Sequence, residues 1–492
     1  MSLFVVSKTR FDVRRLRFIL ENRVSKKLIK SLLEDREGVA TIDRLLDDYI
    51  MGTVSKRDRI VYYAFFKILD MVRMSFNRTE DVFKEELKNI TIRKVFLNGL
   101  KSIKNFGFTV PQSFDSPVMV VWNYTNNCNL RCKHCYQDAG VMGSRMGKRE
   151  LTTEERKRVV DELSRYDIPS IFFSGGEPLI EKDFLEVARY AKSKGFYLTI
   201  ASNGTLITKD MARKLADIGF GYIQVSIDAA TPEKHDEFRG VKGMWERAVQ
   251  GIKNLNEVGL TPVIAYTHTK DTHNEFRGIL ELRKKIGAYK VVVYNYIPVG
   301  RGDIENDPTP QMREEIMKIM YDELQNEHHV LATTNPVFGA YCKMNGASSA
   351  ILAHYADLRV KELGAIADVI GGCGAGRAYV AIQPDGGVTP CVYMPNLVVG
   401  NLMEQSLGEI WKDSPIMKQL RAREDIKGAC ATCEYQAVCG GCRARAYSYF
   451  GDLMGPDPGC MLNLKYYEEK QKELSNNRKK EELIDKHLLK VG

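Results

Sequence analysis

Cysteine is missing from the first 127 residues of this 492-residue chain. Long apolar runs are missing too: no stretch of about 18 uncharged apolar residues occurs, which excludes a spanning helix. The opening MSLFVVSKTRFDVRR carries charge too early for the apolar core of a signal peptide. The expected location is therefore the cytoplasm. Tandem repeats and low-complexity segments are also lacking, so neither a solenoid nor a disordered chain is expected. A hydrophobic share of 44% and a charged share of 27% are those of a globular protein. The length predicts roughly two to four domains.

Net charge is absent from most of the chain. Residues 111–492 hold 49 basic and 49 acidic side chains, whereas residues 1–110 hold 23 against 14. The whole excess of +9 thus lies in the cysteine-free N-terminal region. That region, residues 1–112, reads as helical. Val13, Leu16, Leu20, Val24, Leu28 and Leu32 recur at helical spacing among Arg and Lys. Residues 60–76 are apolar around most of the helical wheel, with Lys67, Asp70 and Arg73 as a narrow polar stripe. Such a helix is expected to be nearly surrounded by protein or lipid. A third helix is expected over about 90–106.

From residue 117 the pattern changes. Six β-rich runs, at 118–124, 170–174, 196–202, 222–227, 262–267 and 290–296, alternate with helical segments. The helix at 152–165 opens on a Thr152/Glu155 capping box. Six βα repeats imply a parallel sheet, open or curled into a partial barrel, with its chemistry at the C-terminal strand ends. The expected organisation is a basic helical domain (1–112), an α/β (βα)6 partial barrel (113–305), a helical bridge (306–370), a cysteine-dense domain (371–462) and a charged helical tail (463–492).

All eleven cysteines fall beyond residue 127, in an odd total and mostly in tight groups. This favours metal thiolates over disulfides. Cys128, Cys132 and Cys135 stand on one short loop after the first strand, as CNLRCKHC. Three soft thiolates there wrap one corner of an iron–sulfur cubane and leave a fourth iron open. A zinc knuckle with His134 as fourth ligand is the competing reading, and cramped. Gly175-Gly176-Glu177-Pro178 follow the second strand, offering close backbone approach and a carboxylate for an ammonium group. Ser202 and Asn203 follow the third strand, and Ser226 and Asp228 the fourth; ordinary turn chemistry also explains them.

This set of motifs resembles the radical S-adenosylmethionine (SAM) superfamily over residues 117–300. The resemblance implies a [4Fe–4S] cluster on Cys128, Cys132 and Cys135 that chelates SAM. Reductive cleavage then produces a 5′-deoxyadenosyl radical that removes a hydrogen atom from substrate. It also implies SAM contacts by Gly175, Gly176, Glu177, Pro178, Ser202, Asn203, Ser226 and Asp228. His134 stands near the adenine, and Arg239 pairs with the SAM carboxylate or braces its loop. A reductant protein of ferredoxin or flavodoxin type is the implied partner.

The later cysteines run Cys373, Cys391, then Cys430-x2-Cys433-x5-Cys439-x2-Cys442, then Cys460. They resemble the SPASM extension of peptide and cofactor maturases and of haem-pathway decarboxylases, except that two residues rather than three separate Cys439 from Cys442. Carried over, Cys373, Cys391 and Cys442 hold one auxiliary [4Fe–4S] cluster, with Cys342 completing it. Cys430, Cys433, Cys439 and Cys460 hold another, for three clusters in all. A zinc ribbon and, for Cys342, a buried apolar thiol are the rival readings.

The N-terminal region points to substrate. Basic amphipathic helices beside an apolar one resemble a monotopic membrane module, which favours lipid carbon–carbon cross-linking at the inner membrane face. Maturation of a peptide or tetrapyrrole is the alternative. A helical cap with a solvated basic face, or a non-enzymatic iron–sulfur or nucleic-acid-binding protein, completes the set; the full SAM motif set argues against nucleic acid as a partner.

Overall fold

The computed structural model describes residues 36–75, 78–140, 149–326, 329–346 and 370–488, together with positions 17, 23, 27, 29, 30 and 33. The apolar series Val13 to Leu32 lies outside the described residues.

The N-terminal part contains α1 (Arg36–Met51), α2 (Lys56–Val61), α3 (Tyr63–Ser75), α4 (Glu80–Leu87) and α5 (Ile90–Phe106). Leu45, Leu46, Phe65, Ile68, Leu69, Phe83, Leu97 and Leu100 form a core of their own. The apolar 60–76 segment is therefore only partly enclosed. Phe65, Ile68 and Leu69 are buried, but Ile60, Val61, Tyr63 and Met74 are exposed. Part of the basic excess serves docking. On α5, Lys94 donates to the Lys194 carbonyl at 2.9 Å and lies 3.8 Å from the Phe196 ring centroid, and Lys101 pairs with Asp167. Arg93 is held by Asp47 on α1 at 2.5 Å.

The barrel strands are β1 (Met119–Asn123), β2 (Ser170–Ser174), β3 (Tyr197–Ser202), β4 (Tyr222–Ser226), β5 (Pro262–His268) and β6 (Val291–Asn295). Each pairs in parallel with the next. Helices α6 (Thr153–Arg165), α7 (Phe184–Ser193), α8 (Lys209–Ile218), α9 (Pro232–Arg239), α10 (Met244–Glu257) and α11 (Phe276–Ile286) lie between them. The Thr152/Glu155 capping box is formed in both directions. These strands bury Val120, Trp122, Ile171, Phe173, Ile200, Val225 and Ile264 in the main core.

The expected helical bridge is not wholly helical. Between α12 (Pro310–Asn326) and α13 (Pro336–Met344) runs β7 (Val330–Thr333), which extends the sheet parallel to β6. At the other edge β8 (Tyr379–Ile382) pairs in parallel with β1. Strands β9 (Gly387–Thr389) and β10 (Gly400–Asn401) follow antiparallel, giving a ten-stranded sheet ordered β10-β9-β8-β1-β2-β3-β4-β5-β6-β7. The cysteine-dense region thus shares the barrel's sheet. It also shares the barrel's core, through Val380, Ile382, Trp411 and Met417 on β8, α14 (Leu407–Asp413) and α15 (Pro415–Ala422). Helices α16 (Arg443–Phe450) and α17 (Leu464–Leu488) complete the chain. No described helix is long and apolar enough to cross a membrane.

Candidate active site

At the C-terminal strand ends lies a cavity of about 160 Å³. Its wall brings together Cys128, Cys132, Cys135 and His134 after β1, Gly175 and Gly176 after β2, Ser202 and Asn203 at β3, Ser226 on β4, and Arg239. Glu177, Pro178 and Asp228 do not line this cavity and stand behind its wall.

Gly175 and Gly176 owe their identity to the cysteine loop. A Cβ on Gly176 would lie 2.1 Å from the Asn127 carbonyl oxygen, and one on Gly175 2.6 Å from that of Thr125. Backbone N–H groups of Gly176 and Glu177 donate to those same carbonyls at 2.7 and 2.8 Å. Gly176→Ala is therefore expected to displace the cysteine loop. We predict that the variant folds but loses most of the iron held at Cys128, Cys132 and Cys135, read by iron content and electron paramagnetic resonance.

Glu177 is fully buried, and its carboxylate accepts from Ser202 Oγ (3.0 Å), Asn203 N (2.7 Å) and Leu179 N (3.2 Å). Burial pushes its pKa up to about 7, against these donors. It braces the loop after β3. Asp228 is likewise fully buried and grips Arg239 at 2.7 Å while accepting Thr267 N at 2.8 Å. Arg239 in turn reaches Cys132 Sγ at 3.7 Å. The His134 ring stacks on Phe238 at 4.4 Å, and burial pushes its pKa down to about 3, so the ring is neutral.

Two further cavities separate the remaining cysteines. One of about 50 Å³ is lined by Cys373, Cys391 and Cys442. The other, about 30 Å³, is lined by Cys430, Cys433, Cys439 and Cys460. Cys342 lines neither. It is fully buried in the main core, where burial pushes its thiol up to about 12. Gly339 on the same helix faces the three-cysteine cavity, and Val337, Ala340 and Met344 the four-cysteine one. Cys342 was expected to complete the three-cysteine set; in this arrangement its thiol packs in the main core beside both cavities.

The donor sets fit iron–sulfur clusters on several counts. Burial raises the thiol pKa of Cys128, Cys442 and Cys460 to about 12, so ionisation there needs compensating positive charge. Each set has a buried arginine for it. Arg239 serves Cys132, and Arg445 lowers the pKa of Cys442. Arg443 keeps a buried Nη2 without a hydrogen-bond partner. A Cβ on Gly441 would lie 2.4 Å from that Nη2 and 3.3 Å from Cys430 Sγ. Sulfur atoms also accept N–H donors, as in cluster sites: Leu130 N to Cys128 and Ala139 N to Cys135 at 3.4 Å, Gly441 N to Cys439 at 3.4 Å, and Asn463 Nδ2 to Cys430 at 3.3 Å. Thiolates on separate cubane corners stand further apart than ligands of one ion. Among the described residues no three Cys, His, Asp or Glu side chains close on a single metal ion.

Several site residues escaped the sequence reading. Arg301 fixes the cysteine loop, donating from Nε to the Cys132 carbonyl (3.1 Å) and from Nη1 to Asp138 (2.9 Å) and the Ala139 carbonyl (2.6 Å). Its only sequence signal is its place between Gly300 and Gly302 beyond the sixth strand. Asn129 links the same loop to Asn203 and Thr205 at 2.8 and 2.9 Å. Asp457, fully buried, pairs with Arg445 at 3.1 Å and accepts Cys442 N at 2.7 Å. Asn129 lies inside the CNLRCKHC run and Asp457 inside the PDPGC run that ends on Cys460, but nothing in either run singles out these side chains.

Residues 122–283 match the family described as the radical SAM superfamily, and residues 373–434 match SPASM, an iron–sulfur cluster-binding domain. An AdoMet-dependent heme synthase of Methanosarcina barkeri is 36% identical over 353 residues, 70% of this chain and 97% of that one. This chain belongs to the radical SAM superfamily. It is an enzyme of that superfamily with a SPASM extension, and it uses SAM and iron–sulfur clusters. A second relative, the Fe-coproporphyrin III synthase of the same organism, is 32% identical over 374 residues, 72% of this chain and 91% of that one. Among solved structures, Streptococcus suis SuiB bound to S-adenosylmethionine aligns with TM-score 0.61 at 19% identity, over 85% of this chain and 92% of that one. That likeness is one of fold.

Proposed function

We propose that this radical SAM enzyme oxidatively decarboxylates a tetrapyrrole. The observation that carries this reading is the wall shared by the first two cavities: Ile297, Thr333, Thr334, Tyr379 and Tyr393 line both. A substrate on that wall lies between the SAM side and the three-cysteine side. Removing a hydrogen atom from a propionate side chain and releasing carbon dioxide leaves a vinyl group and one surplus electron, so an acceptor beside the substrate suits the reaction. The names of the relatives, a heme synthase and an Fe-coproporphyrin III synthase, support the substrate class.

In this reading Cys128, Cys132 and Cys135 hold the SAM-binding [4Fe–4S] cluster, and Cys373, Cys391 and Cys442 hold the first auxiliary one. Cys430, Cys433, Cys439 and Cys460 hold the second. When bound, these groups supply reductive cleavage of SAM and one-electron transfer. The protein's own part is positional. Gly175, Gly176, Ser202, Asn203, Ser226, Arg239 and His134 face SAM. Asp228 holds the Arg239 guanidinium and Glu177 holds the loop at 202–203. The rings of Tyr136, Tyr294, Tyr296, Tyr379 and Tyr393 keep water from the reacting carbon. A ferredoxin or flavodoxin supplies the electron for cleavage.

One observation favours a second reading, carbon–carbon cross-linking of a membrane lipid. Exposed Ile60, Val61 and Tyr63 stand beside exposed Lys56, Arg57 and Arg59, an apolar and cationic surface suited to an anionic bilayer. The relatives lend it no support. One anaerobic experiment separates the two. Reconstituted protein, SAM and reductant are incubated with Fe-coproporphyrin III or with anionic liposomes of lipid extract. The first reading expects 5′-deoxyadenosine and a loss of one carbon dioxide and two hydrogens per carboxylate. An unchanged porphyrin with lipids lighter by two hydrogens, on protein that sediments with the liposomes, would replace it by the second.

A further inference from the structure

Tyr379 occupies a place that neither the SAM motifs nor the cysteine spacing explains. It opens β8 in register with Met119 of β1, at the edge where the cysteine-dense region joins the barrel sheet. Its ring lines both the 160 Å³ cavity and the three-cysteine cavity. Its hydroxyl lies 2.6 Å from Cys391 Sγ. The residue is 7% exposed, so water does not compete for this contact. A thiolate has no proton to offer, so with Cys391 ionised the phenol O–H must donate.

We propose that Tyr379 is a positioning residue that tunes the redox potential of the cluster held by Cys373, Cys391 and Cys442 while its ring forms the substrate-side wall. The inference rests on the reading that these three cysteines hold a cluster. Reduction adds negative charge, which spreads onto the ligand sulfurs. A donor on one of those sulfurs favours the reduced form, so the potential rises when the hydrogen bond is present and falls when it is removed. The direction suits an oxidative enzyme, because a higher potential makes the cluster a better acceptor for a substrate's surplus electron. Tyr393 provides a comparison on the same wall. Its side chain meets the Tyr136 ring at 5.0 Å, and among the described residues its hydroxyl has no hydrogen bond to Cys373, Cys391 or Cys442.

The test is a potentiometric titration of the reconstituted full-length enzyme followed by electron paramagnetic resonance. Y379F is expected to shift the auxiliary cluster's midpoint to more negative values and to leave that of the SAM-binding cluster in place. Y393F is expected to move neither. Product formed per 5′-deoxyadenosine released should fall in Y379F, because abstraction continues while onward oxidation slows. If Y379F fails to retain iron, a fluorinated tyrosine at position 379 keeps the ring and the fold. Its stronger O–H donor should shift the midpoint the other way. An auxiliary midpoint unchanged in Y379F, or in the fluorinated variant where Y379F loses iron, overturns the proposal with the cluster reading intact. Wild-type protein whose iron content and spectra show no cluster at these cysteines overturns both.

Discussion

Replacing Cys128, Cys132 and Cys135 together by alanine is expected to reduce 5′-deoxyadenosine formation on the order of a thousandfold or more, because SAM is cleaved only by an electron delivered at bound iron. The three side chains share one wall of the central cavity with the loops after β2, β3 and β4. The loop itself is held without them, by Arg301 and by the Arg131 and Lys133 N–H groups, which donate to Arg239 and Phe238 carbonyls at 3.1 Å. The triple variant should therefore fold and keep the auxiliary iron, losing only the iron held at the cysteine loop. Iron analysis, circular dichroism and product chromatography together read this outcome. Retention of SAM cleavage would show that another site performs it.

Asp457→Ala is expected to be the most destabilising single change in the cysteine-dense region. Both partners of the Arg445–Asp457 pair are fully buried, and removing the carboxylate strands the guanidinium. Breaking a buried pair in this way costs about 3–5 kcal/mol. The carboxylate also accepts the backbone N–H groups of Cys442 (2.7 Å) and Gly459 (2.9 Å), which lose their acceptor too. Those two residues flank the two auxiliary sites, so auxiliary iron should be lost before the SAM-binding iron. Asp48→Ala offers the contrast. Its partner Arg44 is 48% exposed, and such a pair contributes less than about 1 kcal/mol. Chemical unfolding of both variants, with iron content followed in parallel, measures the difference.

Where the chain carries strong periodic signals, the structure follows them closely. The six β-rich runs became β1 to β6 within one or two residues at each end. Each is a β-branched or aromatic run closed by turn residues, and every motif stands at a C-terminal strand end, where parallel sheets gather their loops. The division of seven C-terminal cysteines into a set of three and a set of four came from the resemblance rather than from spacing, since Cys442 follows Cys439 closely yet lines the other cavity.

Other features were not legible because they depend on partners distant in sequence. VLAT at 330–333 and YVAI at 379–382 are too short to declare their state, and β6 and β1 supply the edges that make them strands. Cys342 shares a helix with residues that face both auxiliary cavities, and only the rotation of α13 against the barrel turns it into the core. Glu177 sits in the expected motif, yet three donors from two loops make it a brace rather than a wall. The apolar segment 60–76 was expected to be surrounded by protein or lipid; it is divided between α2 and α3, and Ile60, Val61 and Tyr63 find no protein cover among the described residues.

By itself, then, the sequence determined the chemistry available to this enzyme: the cysteine sets, the barrel that presents them and the loops that carry the SAM motifs. The barrel and its loops are written in local spacing and periodicity, and the cysteine sets in the resemblance of their motifs to a known family. The tertiary structure alone decided which side chains face the cavity, which ones hold those that do, and which wall two cavities share. Those outcomes come from packing between segments up to hundreds of residues apart, as between Asn123 and Gln383, and no window of sequence contains both partners.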